Sequence, residues 1–120
     1  MYVGGWKEAA RFSGTRFCVL DELPDQMPAA THVTIYDGSH DRAIVANLDR
    51  LTDAMKSAHD HHERVMVFCG HGVRRSPLAA AWYLHRVEGL TLDEAYERIR
   101  RTRPQVENVR DWVGNTEGLP

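Results

Sequence analysis

Apolar residues at Ile44, Leu48, Leu51, Met55 and Ala58 step by four, three, four and three. That is the period of a helix with one buried face, and it predicts a helix over 41–58. Arg42, Asp49, Arg50, Asp53 and Lys56 fall largely off the stripe. Residues 59–62 break the period, and the fully apolar run 65–68 then reads as a buried strand. Ser76-Pro77 suits a helix start, with Ser76 as a cap and Pro77 in the first turn. The run 78–84 is apolar on every side, so this helix, reaching about residue 87, is expected at the centre of the core. Gly89 ends it. Thr91-Leu92-Asp93-Glu94 has capping-box spacing and opens a further helix with Leu92, Ala95, Tyr96 and Ile99 inside and Pro104 beyond its end.

The N-terminal half is less regular. Tyr2-Val3 reads as a short strand closed by Gly4-Gly5, and 6–12 as a short helix stopped at Gly14. Runs 17–20 and 32–36 read as strands. A last short helix near 108–113 is expected to bury Val109 and Trp112. Strands alternating with helices predict an α/β domain with a central, mostly parallel sheet flanked by helices.

The chain has 120 residues, 42% hydrophobic and 27% charged, which suits one globular domain over 1–120 with its own core. That composition excludes disorder, collagen and a disulfide scaffold. A net charge of −2 gives no global basic field for nucleic acid. The run 78–84 is far short of the roughly 20 residues that cross a bilayer. Two cysteines, Cys18 and Cys69, make no disulfide framework, and the simplest compartment is the reducing cytoplasm.

Chemistry concentrates in Cys69-Gly70-His71-Gly72-Val73-Arg74-Arg75-Ser76, between the apolar strand and the apolar helix. Such a turn points backbone N–H groups into a concavity backed by the positive end of a helix dipole, a site for a tetrahedral oxyanion. Gly70 and Gly72 let the backbone bend. Cys69 sits at the strand end, where amides and a guanidinium favour its thiolate. Arg75 has the planar fork to clamp two oxygens of a phosphate. The Ser76 hydroxyl can donate toward the sulfur. His71 is either a loop side chain facing solvent or a substrate contact. Arg74 either attracts an anionic substrate, the preferred reading, or pairs with a carboxylate.

Cys69-x5-Arg75-Ser76 resembles the signature of the cysteine-dependent protein tyrosine phosphatases, and its surroundings resemble their small dual-specificity branch. Tyr2-Val3-Gly4-Gly5, Tyr83-Leu84, Thr91-Leu92-Asp93-Glu94-Ala95 and Arg103-Pro104 extend the likeness over nearly the whole chain. The resemblance implies a protein tyrosine phosphatase-like fold. It also implies two-step hydrolysis of phosphate monoesters through a phosphocysteine, without metal or other cofactor. The implied substrate is a phosphorylated protein or peptide. The general acid is then an Asp upstream of the nucleophile. Asp37, 32 residues before Cys69, is preferred to Asp41, which reads as a helix cap. The substrate contacts are Gly70, His71, Gly72, Val73, Arg74 and Arg75. Few insertions are available to wall a deep slot, so a shallow pocket is expected, open to phosphotyrosine and also to phosphoserine and phosphothreonine. Phe68 stands where the family has His, which removes one hydrogen-bonding influence on the sulfur.

His71-Gly72 also resembles the RNA 5′-triphosphatases of the superfamily, although Arg74 and Ser76 depart from their pattern. A phosphatase of RNA 5′-ends or other non-protein phosphates is therefore the rival enzyme. Two further rivals are a phosphate-binding module without turnover and a sulfur-transfer loop. His59-Asp60-His61-His62 reads as a solvated helix end rather than a metal site, and Arg98, Arg100, Arg101 and Arg103 as a solvated helix face with Glu94–Arg98 and Glu97–Arg101 pairs. Trp6, Trp82 and Trp112 read as packing residues.

Overall fold

The computed structural model of the chain describes residues 1–25, 29–36 and 42–114. Among them, four strands form one parallel sheet in the order β1-β4-β2-β3. The strands are β1 Tyr2–Gly5, β2 Thr15–Cys18, β3 Thr31–His32 and β4 Val65–Cys69. The helices are α1 Trp6–Arg11, α2 Val45–Asp60, α3 Arg75–Glu88 and α4 Leu92–Thr102, followed by a 3₁₀ turn over Arg110–Val113. This is the predicted architecture, with helices on both faces of the sheet.

Alternation along β4 divides the core. Met66 and Phe68 point to the α1 face, with Ala9 and Cys18. Val65, Val67 and Cys69 point to the other face, packed with Leu48, Leu51 and Met55 of α2 and Leu78 and Trp82 of α3. Phe68 thus fills the α1 face and is fully buried. Cys18 pairs in register with Phe68, so the two cysteines lie on opposite faces of the sheet, and both are free thiols. Burial pushes the Cys18 thiol up from its ordinary range.

Several boundaries differ from expectation. The strand expected over 32–36 is two residues long. Beyond it, the Thr34 carbonyl accepts from Asn47 Nδ2 at 2.7 Å and the Ile35 carbonyl from the Ile44 N–H at 2.7 Å, which turns this backbone toward the start of α2 and away from the sheet. Tyr36 then makes an isolated antiparallel bridge to Ala43, whose N–H donates to the Trp112 carbonyl at 2.8 Å. These tertiary bonds occupy the backbone just before α2, so the helix begins at Val45; Asp41 lies outside the described residues.

Ser76 is not a cap. The helix opens two residues earlier, Arg74 is at its N-cap without a side-chain bond, and Ser76 is buried inside the first turn. The capping box of α4 forms as predicted, with Thr91 Oγ1 accepting from the Glu94 N–H. Glu94 is held there by the Thr91 N–H, and Arg98 pairs with Glu88 of α3 at 2.7 Å rather than with Glu94. Trp82 is core and donates to Asp49 Oδ1 at 2.7 Å, Trp112 is half-buried, and Trp6 is exposed rather than packed.

Candidate active site

β4 ends at Cys69 and α3 begins at Arg75, so the intervening loop closes over the C-terminal edge of the central strand. Cys69 is 4% exposed, with its sulfur at the floor. The Gly72 N–H donates to Cys69 Sγ at 3.2 Å. Ser76 Oγ lies 3.3 Å from the same sulfur and donates to the Gly4 carbonyl at 3.0 Å. Ser76 has one hydroxyl proton. Given to Gly4, it leaves the oxygen to accept from a protonated thiol; turned to the sulfur, it stabilises a thiolate. The predicted role of Ser76 therefore requires its hydroxyl to rotate away from Gly4.

The outer side of the loop is fully tied. The Gly70 carbonyl accepts from the Trp6 N–H at 3.3 Å, the Val73 carbonyl from the Glu107 N–H at 2.9 Å, and the Arg74 carbonyl from the Leu78 N–H at 3.0 Å. The His71 and Gly72 carbonyls accept from Arg103 Nη2 and Nε at 3.0 and 2.8 Å. Gly72 has φ +69°, and a Cβ there would lie 2.5 Å from the Gly4 carbonyl carbon. Glycine is thus demanded both by backbone conformation and by the close approach of β1.

The inner side faces an open cleft of about 520 Å³ lined by Leu20, Tyr36, Cys69, Gly70, His71, Val73, Arg74 and Arg75. The Arg75 guanidinium stacks on the Tyr36 ring, 3.9 Å from its centroid, while that ring meets Trp112 edge-on. Burial raises the Tyr36 phenol above its ordinary range, and the Arg75 guanidinium beside it partly offsets that rise. His71 is exposed at the rim. Arg74 lines the cleft, but its Nε is engaged by Glu107 at 2.9 Å, so the carboxylate pairing weighed in the sequence is formed. Of the predicted contacts, Gly70, His71, Val73, Arg74 and Arg75 line the cleft with Cys69, and Gly72 meets the sulfur through its N–H. Asp37 lies outside the described residues.

The sequence model of the dual specificity phosphatase catalytic domain matches residues 20–114. The chain belongs to that family. The Saccharomyces cerevisiae tyrosine-protein phosphatase MSG5 is 31% identical over 78 residues, which cover 65% of this chain and 16% of that protein. The chain therefore spans about a sixth of that relative's length. The crystal structure of human DUSP28 superposes with a TM-score of 0.74 at 23% identity, covering 92% of this chain and 89% of that one. PTPMT1 in complex with PI(5)P superposes with a TM-score of 0.67 at 18% identity, covering 78% and 67%. At these identities the two structures establish the fold.

Three residues that hold this dual-specificity phosphatase site escaped the sequence reading. Tyr36 was counted only as a strand residue. Glu8 was unremarked. Arg103, expected on a solvated basic face, has a side chain that is 14% exposed and binds Glu8 and two loop carbonyls. The available signal is its place four residues after Ile99, where it continues the inner stripe of α4 instead of the solvated face. A second cavity, about 630 Å³ among β1, α2, α3 and α4, touches Glu8 and Arg103 but none of the loop residues. At the end of α2, His61 Nδ1 bonds the Ser57 carbonyl and Asp60 pairs with Lys56 at 2.7 Å. No described helix is long and apolar enough to cross a membrane.

Proposed function

We propose that this domain hydrolyses phosphate monoesters through a phosphocysteine on Cys69. Sγ attacks phosphorus, the ester P–O bond breaks, and Asp37 gives its proton to the leaving oxygen. Water then attacks phosphorus, yields a proton to the Asp37 carboxylate, and the P–S bond breaks to free inorganic phosphate. The loop N–H groups and the Arg75 fork hold the equatorial oxygens, where charge develops. Ser76, with its hydroxyl rotated to the sulfur, stabilises the departing thiolate. The observation that carries this reading is the Gly72 N–H directed at Cys69 Sγ in a loop whose carbonyls are all tied on the opposite side.

The substrate reading is phosphotyrosine, with phosphoserine and phosphothreonine also admitted, in a phosphorylated protein or peptide. Its support is the open cleft, lined by Leu20, Tyr36, Val73 and Arg74 around the loop. Non-protein phosphates are the comparison class, because PTPMT1 shares the fold and was crystallised with PI(5)P. The engagement of Arg74 by Glu107 removes part of the motive for that class.

The test is hydrolysis of p-nitrophenyl phosphate by wild type and Asp37→Asn across pH, followed by phosphopeptides, PI(5)P and triphosphate-ended RNA. Asp37→Asn is expected to lose roughly 10²–10³-fold in kcat together with the basic limb of the pH profile, since that limb reports the acid losing its proton. A flat profile over the three phosphopeptides supports the substrate reading. A hundredfold preference for the lipid or the RNA would replace it. Vanadate binding without turnover would identify a phosphate-binding module, and Asp37→Asn with full activity would remove Asp37 as the general acid.

A further inference from the structure

A loop that binds an anion must keep its carbonyl oxygens, each a negative pole, out of the concavity. Two of the carbonyls that this loop turns outward are held by one side chain. Arg103 follows the last turn of α4, and its Nε donates to the Gly72 carbonyl at 2.8 Å while its Nη2 donates to the His71 carbonyl at 3.0 Å. Nη1 and Nη2 each reach a Glu8 carboxylate oxygen at 2.9 Å. Glu8 Oε1 also accepts the Gly5 N–H at 3.2 Å, which fixes the carboxylate to the β1–α1 junction. Only a planar fork can make these bonds together.

In a trans peptide unit the C=O and N–H point in opposite directions. Holding the His71 carbonyl outward therefore aims the Gly72 N–H inward, and that N–H is the one that reaches Cys69 Sγ. Holding the Gly72 carbonyl outward aims the Val73 N–H the same way, and Val73 lines the cleft. Glycine tolerates both signs of φ, so the peptide between His71 and Gly72 has a flipped alternative that the loop sequence itself does not forbid. The flip would put a carbonyl where the sulfur now receives an N–H.

We propose that Arg103, anchored by Glu8, is a positioning residue that locks two loop amides toward the sulfur and the bound anion. The proposal rests on the phosphatase reading only for its consequence in turnover. Its test reads the sulfur and the anion directly, in the full chain, for wild type, Arg103→Met, Arg103→Lys and Glu8→Gln. The two measurements are the rate of Cys69 alkylation by iodoacetate at pH 6, located by peptide mass, and calorimetric binding of inorganic phosphate. Thermal melting reports whether each variant is folded.

Arg103→Met is expected to slow alkylation and weaken phosphate binding by about tenfold each, the size of one charge-assisted hydrogen bond. Arg103→Lys keeps the charge but not the fork, and is expected to stay within about threefold of Arg103→Met. Glu8→Gln keeps the side-chain size but loses the ion pair and one of the two acceptor oxygens that meet the fork, so a loss of about threefold is expected. If Arg103→Met does not fold, Arg103→Lys and Glu8→Gln decide. Wild-type values in the folded Arg103 variants would overturn the proposal, and so would full recovery by Lys, which would make charge rather than orientation the cause. A wild-type Cys69 that alkylates no faster than free cysteine, in a protein that binds no phosphate, would instead remove the phosphatase reading.

Discussion

The two sides of the phosphate loop are built differently. On the outer side every carbonyl from Gly70 to Arg74 has a donor, and β1 approaches so closely that Gly72 has no space for a Cβ. On the inner side Arg75 rests on the Tyr36 ring, Arg74 is half-exposed in an ion pair, and the cleft opens to solvent. The contrast teaches where rigidity is needed. Amide dipoles stabilise an anion only if they cannot turn away, so the fixed structure lies behind the loop and the space is left in front of it.

The largest expected break is Cys69→Ser. It leaves both sides intact and removes the proposed nucleophile, so hydrolysis of an aryl phosphate is expected to fall by roughly 10⁴-fold or more while the melting temperature stays near wild type. Next is Arg75→Ala, which empties the inner side of its fork. A fall in kcat of about 10²–10³-fold is expected, the usual effect of deleting one preorganised donor to a transition state.

The two loop glycines sharpen the contrast. A Cβ on Gly72 would meet the backbone of Gly4 and Gly5 at 2.5 and 2.8 Å, whereas a Cβ on Gly70 would have nothing within 4 Å. Gly72→Ala is expected to lose about 2 kcal/mol or more of stability, read by denaturant unfolding. Gly70→Ala is expected to stay within about 0.5 kcal/mol of wild type. Equal losses would refute the claim that the outer side alone is sterically closed. The smallest effect belongs to Arg74→Ala. Its ion pair with Glu107 is half-exposed, so stability is expected to change by less than about 1 kcal/mol.

Legibility in the sequence followed the range of the interactions. The stripe on α2 from Leu48 to Ala58, the all-apolar α3 and the capping box at Thr91 each rest on residues within a few positions of one another, and each forms as the pattern predicts although the starts of α2 and α3 shift. The misplaced elements answer to distant partners. The strand expected over 32–36 is cut short because Thr34 and Ile35 bond to the start of α2. Local spacing allows Ser76 to cap α3, while the β1 backbone and the sulfur claim its hydroxyl. Arg98 was matched to Glu94 by spacing, but the capping box already occupies that carboxylate.

The sequence by itself determined the order of strands and helices, the strand–glycine loop–helix unit, and the places of Cys69 and Arg75 at its two ends. Those follow from hydrophobic period, turn chemistry and the reach of six consecutive peptide units. Only the tertiary structure decided what fixes that loop. Glu8 and Arg103 are 95 residues apart, and they meet because the parallel sheet places β1 beside β4 while α4 packs behind the turn. A loop carbonyl accepts whichever donor the fold brings within 3 Å, and no local pattern encodes that choice.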